Sequence, residues 1–324
     1  MRKKAAITRS LLVQQLANGE FHSGEFLGNL VGVSRSAIAN HIKYLTEIGL
    51  DVFSVKGRGY RLATPIKLLD KNRILGLIGQ KDITSLEVMS VIDSTNTYVK
   101  DRLHELPQGF VCLAEAQTNG RGRRGKTWVS PFGSSIYMSM AWTFKGGYQS
   151  MAGLSLLVGI AINRSLKKMG IKDCKLKWPN DVYHNFRKLA GILVEVEGQV
   201  GSDASAVIGI GINIELPNSV NEIDQPFVDL VSITNKPVDR NELVALIILT
   251  LTHMLKEFEN KGLAPFLAEW KDADLFYNEY VYLVSGSTRI HGMSKGINEG
   301  GALLLENAGK VTPHHGGEIS VRRA

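Results

Sequence analysis

The chain has 324 residues, 44% of them hydrophobic and 21% charged, with a formal net charge of +7. That length fits about two ordinary domains, and the balance excludes a mostly disordered polymer. No apolar run approaches the ~18–20 residues of a membrane span, and two cysteines, Cys112 and Cys174, are too few for a disulfide framework or a cysteine zinc site.

Basic residues concentrate at the N-terminus. Residues 1–65 carry nine lysines and arginines against four acids, so one fifth of the chain holds +5 of the +7. Such an excess suits a phosphate-rich partner; a solvated basic surface is the plainer alternative. The basic residues 1–10 lead into a short apolar stretch and then polar residues, so no secretory signal is expected. A reduced, cytoplasmic protein follows from that and from the cysteine count.

Ile7, Leu11, Leu12 and Leu16 recur at helical spacing ahead of Asn18-Gly19. A second helix is expected over 24–30, and Ser34 caps a third that buries Ile38, Ile42 and Leu45. Leu27, Val31, Val33 and Ile38, with the small residues Gly28 and Gly32 between them, follow the packing pattern of a helix-turn-helix. Gly24, Ser34, Arg35, Ser36, Asn40 and Lys43 are then the candidates for contact with phosphates and base edges. Two short strands around Lys56-Gly57-Arg58-Gly59 make a wing with Lys56 and Arg58 at its tip. Residues 1–65 thus read as a winged helix-turn-helix that binds DNA. A small helical bundle, or a winged helix that binds protein, is the alternative. Ala63-Thr64-Pro65 marks the exit.

The middle of the chain carries the strongest local signal. A strand over 111–114 runs into Thr118-Asn119-Gly120-Arg121-Gly122-Arg123-Arg124-Gly125-Lys126. Three glycines let the backbone approach a ligand, and four cations suit a polyanion. The loop lacks the Gly-Lys-Ser/Thr ending of a Walker loop and the spacing of a dinucleotide fingerprint. An RNA-binding arginine-glycine patch or a protease-sensitive linker is the alternative on local grounds. Trp128 and Phe132 flank Ser130-Pro131, an alternating strand follows over 135–142, and a long helix is expected over 150–168.

Lys177-Trp178-Pro179-Asn180-Asp181 ends a strand, because Pro179 forces Trp178 out of helical conformation. Lys177 suits a phosphate there. Asp181 either helps hold Mg²⁺ through water or simply forms the turn. Lys188 opens a further strand over 188–197. Gly209 and Gly211 interrupt another over 206–213, where a ligand or a facing helix must come close. Asn213 either bonds a ribose or phosphate or caps that strand.

In this order, Ser94-Thr95-Asn96, the loop, Lys177–Asp181, Lys188–Ile192 and Gly209–Asn213 resemble the biotin protein ligases. With the winged helix, essentially the whole chain resembles the bifunctional type that is also the repressor of the biotin operon. Lipoate ligases share the catalytic fold but lack the loop sequence and the head. The resemblance implies an α+β multidomain protein: a winged helix over 1–65, a mixed-sheet ligase domain of the biotin/lipoate type over 66–274, and an SH3-like β-barrel over 275–324. It implies an enzyme that joins biotin and ATP, with Mg²⁺, into biotinyl-5′-AMP. Biotin then passes to a lysine of the biotin carboxyl carrier domain of a carboxylase such as acetyl-CoA carboxylase.

Ser94, Thr95, Asn96 and Gln117 look like the holders of biotin, with Arg121, Gly122 and Arg123 in the loop that folds over the adenylate. Lys188 resembles the lysine at the biotin carboxylate and the α-phosphate. Lys188, Arg121 and Arg123 are therefore the catalytic candidates. Arg124, Trp128, Lys177, Asn180, Asp181 and Asn213 match positions near ATP. The family often carries a tryptophan on the adenine, where this chain has Val228 with Phe227 beside it, so Phe227 is the candidate. Asp181 is the candidate metal contact. Glu318 and Arg322 lie where the family faces the nucleotide.

The chemistry accounts for these residue types. Two anions must meet, so cations lower the repulsion and stabilise charge at the α-phosphorus. The intermediate is a mixed anhydride, so no serine or cysteine nucleophile is needed, and Cys112 and Cys174 read as core. As a repressor, the chain is expected to bind a palindromic operator as a homodimer, with biotinyl-5′-AMP as corepressor. The alternatives are a ligand sensor without ligase activity and a lipoate-type acyl ligase. Asp239 and Glu242 form a capping box for a core helix, and His314-His315 reads as an exposed turn.

Overall fold

A computed structural model describes residues 2–79, 85–198, 202–217, 220 and 222–324. The N-terminal unit consists of α1 (Arg2–Leu16), α2 (Gly24–Val31), α3 (Arg35–Glu47) and the hairpin β1 (Val52–Val55) with β2 (Gly59–Leu62). Ser23 and Ser34 cap α2 and α3 by accepting the Phe26 and Ala37 amides at 3.0 and 3.3 Å. Gly28 must be small, since a Cβ there would lie 2.7 Å from the Val33 carbonyl oxygen. Ile38, Ile42 and Leu45 are buried as the spacing predicts.

The phase of α1 differs from expectation. Ile7 is 56% and Leu11 40% exposed, and the buried stripe is Thr8, Leu12, Val13 and Leu16. The core of the head is also completed from outside. Ala116 and Phe132 are buried in it, and the Phe132 amide donates to the Ile48 carbonyl at 3.3 Å. The Ile66 amide reaches back to Ala17 at 3.0 Å.

The central unit is a seven-stranded sheet flanked by helices. Its strands are β3 (Leu86–Ile92), β4 (Val111–Gln117), β5 (Ser135–Phe144), β6 (Cys174–Lys177), β7 (Asp181–His184), β8 (Arg187–Gly198) and β9 (Ala204–Asn213). The order is β3-β4-β5-β9-β8-β7-β6, with β3 and β4 parallel and every other pair antiparallel. One face carries α4 (Lys71–Ile78), α6 (Leu154–Lys168) and α8 (Arg240–Lys261) over a large apolar core. The opposite face carries the short α5 (Thr95–Lys100) against β4, β5 and β9.

The helix expected over 150–168 is in fact a 3₁₀ turn, Tyr148–Met151, followed by α6. Gly153 at φ 84° separates them. Asp239 caps α8, accepting the Asn241 and Glu242 amides at 3.1 and 3.3 Å. Cys112 and Cys174 are buried, and burial pushes both thiols up to about 12. A buried ion pair, Arg240 to Glu115 at 2.7 Å, ties α8 to β4. Both partners also hold the backbone of the connecting segment, at Lys67 and Leu69.

The C-terminal unit follows α9 (Leu267–Ala273). It contains β10 (Tyr280–Ser285), β11 (Thr288–Ile297), β12 (Leu303–Asn307), β13 (Lys310–His314) and β14 (Ser320–Arg323). All pairs are antiparallel in the order β13-β12-β11-β10-β14. No ladder joins β13 to β14, so the SH3-like unit is an open sheet and not a closed barrel. His314 is correspondingly not in a turn; it ends β13 and lies 3.0 Å from Thr312 Oγ1.

Candidate active site and nucleic-acid surface

A cavity of about 460 Å³ opens on the α5 face of the central sheet. Its floor is glycine. Side chains alternate along a strand, so Gly191, Gly209 and Gly211 face the cavity while Ile192, Ile208, Ile210 and Ile212 face the core. A Cβ at Gly211 would lie 2.5 Å from the Trp128 ring, and one at Gly191 2.7 Å from it. One at Gly209 would collide with Asn96 Oδ1. The interrupted strand therefore makes room for Trp128 and Asn96.

One wall is the N-terminus of α5. Ser94 caps it, accepting the Thr97 amide at 3.4 Å. Thr95 donates through its amide (2.9 Å) and its hydroxyl (3.1 Å) to Gln117 Oε1. Gln117 Nε2 donates to Ser130 at 3.1 Å, which closes the base of the loop.

The opposite wall comes from the β6–β7 turn and β8. Lys188 Nζ lies 2.8 Å from Asp181 Oδ1, both side chains being less than one-fifth exposed. Lys177 donates to the Tyr183 hydroxyl at 3.2 Å. Burial pulls the Lys177 ammonium down to about 8; Asp181 opposes this, while Arg322 and Lys188 add to it.

The loop lies across the mouth. Arg121 pairs with Glu195 at 2.8 Å, and Lys126 with Asp224 at 3.1 Å. Arg123 donates to Asn180 Oδ1 (2.9 Å) and to the carbonyls of Gly316 and Gly317 (2.6 and 2.7 Å), joining the loop to the C-terminal sheet. Burial lowers its guanidinium, with Arg124 adding to the effect.

The residues expected to hold biotin or ATP line this cavity: Ser94, Thr95, Asn96, Gln117, Arg121, Gly122, Arg123, Arg124, Trp128, Lys177, Asn180, Asp181, Lys188, Asn213 and Phe227; of the two residues expected to face the nucleotide from the C-terminal sheet, Arg322 lines it as well and Glu318 does not. Asn213 lines the cavity but also holds neighbouring backbone. Its amide nitrogen donates to the carbonyls of Val228 (3.1 Å) and Lys188 (3.4 Å), pinning the 226–228 segment beside β8. Val228 is thereby buried, and Phe227 faces the cavity.

Sequence reasoning missed Glu195, which binds both Asn96 and Arg121, and the acidic rim Glu222 and Asp224. The alternation Val194-Glu195-Val196-Glu197 was the available signal, since it places Glu195 on the same strand face as Gly191.

Among the described residues, no group of three or more His, Cys, Asp or Glu could hold a metal ion. Asp181 Oδ1 is nevertheless buried and, apart from the Lys188 ammonium, has no partner. One such carboxylate suits Mg²⁺ that keeps its waters and arrives on a phosphate chain. Trp128 Nε1 is likewise buried without a partner, a donor left for a ligand.

On the head, Arg35, Ser36, Asn40 and Lys43 are exposed along α3, and Lys56 and Arg58 are exposed at the wing tip. Ser34 is exposed but engaged as the cap. Gly24 does not face outward: it is buried, and a Cβ there would lie 3.2 Å from Arg35 Cγ. Its role is to let Arg35 lie over the start of α2.

Comparison with known proteins agrees with this geometry. The profile of the biotin/lipoate A/B protein ligase family matches residues 88–213, and an HTH domain profile matches residues 8–61. The chain is 48% identical over 317 residues to the bifunctional ligase/repressor BirA of Escherichia coli, covering 97% of each chain. It is 30% identical to that of Bacillus subtilis, covering 90% of each. A solved biotin protein ligase from Aquifex aeolicus, in complex with biotin and ATP, is similar with a TM-score of 0.66 and 28% identity. That likeness covers 75% of this chain and all of that one. A similarity this high along nearly the whole length, with head and ligase in the same order, means that the chain belongs to the family of bifunctional biotin ligase/repressors.

Proposed function

We propose that the single cavity binds biotin along α5 and ATP along the β6–β7 turn, so that the biotin carboxylate meets the α-phosphorus beside Lys188. The carboxylate oxygen bonds to phosphorus and pyrophosphate leaves, giving biotinyl-5′-AMP. The amine of a carrier-domain lysine then attacks the acyl carbon and AMP leaves. Lys188 compensates the charge of the two approaching anions, and the aligned reactants gain from proximity. Arg121 and Arg123 hold the loop over the anhydride and keep water out. Lys177 and Arg124 suit the phosphates, and Phe227 the adenine. Mg²⁺ arriving with the nucleotide would supply charge compensation at the leaving pyrophosphate, and Asp181 is the residue that would help hold it.

The observation that carries this reading is the Lys188–Asp181 pair at one end of a cavity whose other end is the polar α5 wall. The division of labour we assign is DNA binding to residues 1–65, ligation to 66–274 and nucleotide closure to 275–324. The protein is read as cytoplasmic, where its carrier domain and operator would be found.

The test is incubation with ATP, Mg²⁺, a biotin carboxyl carrier domain and either biotin or lipoate. Labelled biotin on the carrier lysine is expected. Adenylate formation without transfer would select a ligand sensor, and lipoate transfer alone an acyl ligase of the lipoate type. For repression, we infer a two-fold dimer on a palindromic operator, driven by biotinyl-5′-AMP. Footprints with the adenylate should be stronger than without it; equal occupancy would refute the coupling.

A further inference from the structure

We propose that Glu195 is a positioning residue that fixes the polarity of Asn96 and seats Arg121, so that recognition at the α5 wall and closure of the loop share one carboxylate. The proposal rests on the reading of the α5 wall as the biotin end of the cavity.

Glu195 stands on β8, two residues beyond Leu193 and four beyond Gly191, on the strand face that turns to the cavity. Its Oε2 accepts from Asn96 Nδ2 at 2.8 Å and from Arg121 Nη2 at 2.8 Å. A carboxylate can only accept, so the amide nitrogen of Asn96 must face Glu195. A second contact agrees: Asn96 Nδ2 also reaches the Leu193 carbonyl at 3.3 Å. On the other side, Asn96 Oδ1 lies 2.5 Å from the fully buried Ser139 hydroxyl, whose single proton is shared with Thr95 Oγ1 at 2.8 Å.

Both Asn96 N–H groups are thus occupied by protein, and the oxygen has one lone pair left. The side chain cannot flip without turning its oxygen toward the Glu195 carboxylate and the Leu193 carbonyl, neither of which can donate. It therefore offers an acceptor and no donor. The ligand group that suits it is an N–H, as on a cyclic urea, and a bare carbonyl at that point is disfavoured. Glu195 sets this preference without touching the ligand. The same oxygen holds Arg121, so loss of the carboxylate releases the loop as well.

The near-isosteric Glu195→Gln tests this. Its amide oxygen can still accept from both donors, as Oε2 does, but it carries no charge, so both bonds lose their charge assistance and Arg121 loses its counter-ion. The expected result is a rise of about tenfold in the dissociation constant for biotin, and release of preformed biotinyl-5′-AMP about tenfold faster, since hydrogen bonds to charged groups are worth roughly that factor or more. The KM for ATP should stay within about twofold. Ser139→Ala leaves the Glu195 and Leu193 contacts in place, so it should shift biotin affinity less than Glu195→Gln and leave the loop as resistant to trypsin as the parent, because Ser139 does not touch Arg121.

Unchanged biotin binding in Glu195→Gln would overturn the proposal. So would equal rises in both constants, the mark of general damage. If the parent itself bound no biotin by calorimetry, the reading of the cavity would fail instead, and the two failures are distinguishable.

Discussion

The head and the ligase site both present positive charge, but they hold it differently. In the head, cations lie on aromatic rings: Arg9 on Tyr44, Arg58 on Phe21, and Arg61 between Phe21 and Phe53. Among the described residues, no ion pair neutralises Arg35, Lys43, Lys56 or Arg58. In the cavity, Lys188, Arg121 and Lys126 each meet a carboxylate. Stacking fixes a guanidinium while leaving its charge to act outward, which suits a long polyanion whose phosphates are read at a distance. Pairing keeps a cation quiet until a stronger anion takes the partner's place, which suits two small anions that must meet at one point.

The largest test of this contrast is Lys188→Ala. Removing a preorganised charge at the reacting centre should slow pyrophosphate release by about 10²–10³-fold. Binding to duplex DNA in the absence of ligand should not change, and a parallel loss there would break the separation of the two regions.

A third way of holding charge occurs at the seam with the C-terminal sheet. Asp274 is buried, and burial pushes its carboxyl up to about 6; the Phe276 amide, which donates to Oδ1 at 2.9 Å, the nearby Trp270 and the charge of Lys175 only partly offset this. A carboxyl raised in the folded state adds stability below its unfolded value near 3.8, and that contribution is lost as pH rises through 6. Asp274→Asn should therefore stabilise the protein by about 2 kcal/mol at neutral pH in urea unfolding, with the gain vanishing near pH 4.

Lys177 sharpens the comparison from inside the cavity. Its ammonium is held down to about 8, so the free enzyme loses that charge above pH 8. The kcat/KM for ATP should fall by up to about tenfold per unit there. Lys177→Arg should remove that limb, since a guanidinium stays charged. The smallest effect belongs to the wing. Lys56→Ala and Arg58→Ala should each lower the salt slope of DNA binding by about one. Unchanged slopes would mean that the exposed charge of the wing does not touch phosphate.

The sequence made the fold legible wherever local chemistry decides it. The caps at Ser34 and Asp239, the wing around Gly57 and the end of β6 before Pro179 all follow from single residues and their immediate neighbours. The site was legible for the same reason, since its loop, its lysines and its glycine floor are each short runs. What stayed hidden depends on distance. The phase of α1 cannot be told from Ile7 and Leu11 alone, because the partners it packs on, α2, β2 and β3, come later in the chain. Glu195 looks like a solvated acid in an apolar strand until Asn96, 99 residues away, is placed beside it. The helix break at Gly153 was visible as a glycine, but an apolar run hid its meaning.

Phe132 shows the same dependence on distance at larger scale. It belongs to the segment that closes the ligand loop, yet it fills the core of the head together with Ala116. The Gly49 backbone abuts Pro131, where a Cβ would lie 3.1 Å from the proline ring. The winged helix is consequently not an exchangeable cassette. A head grafted from another protein would need a socket cut for this plug, and a body relieved of its head would carry an uncovered aromatic wedge. Sequence drift in the two parts must then proceed in step, with changes at Leu12, Ile42 or Leu45 answered at position 132.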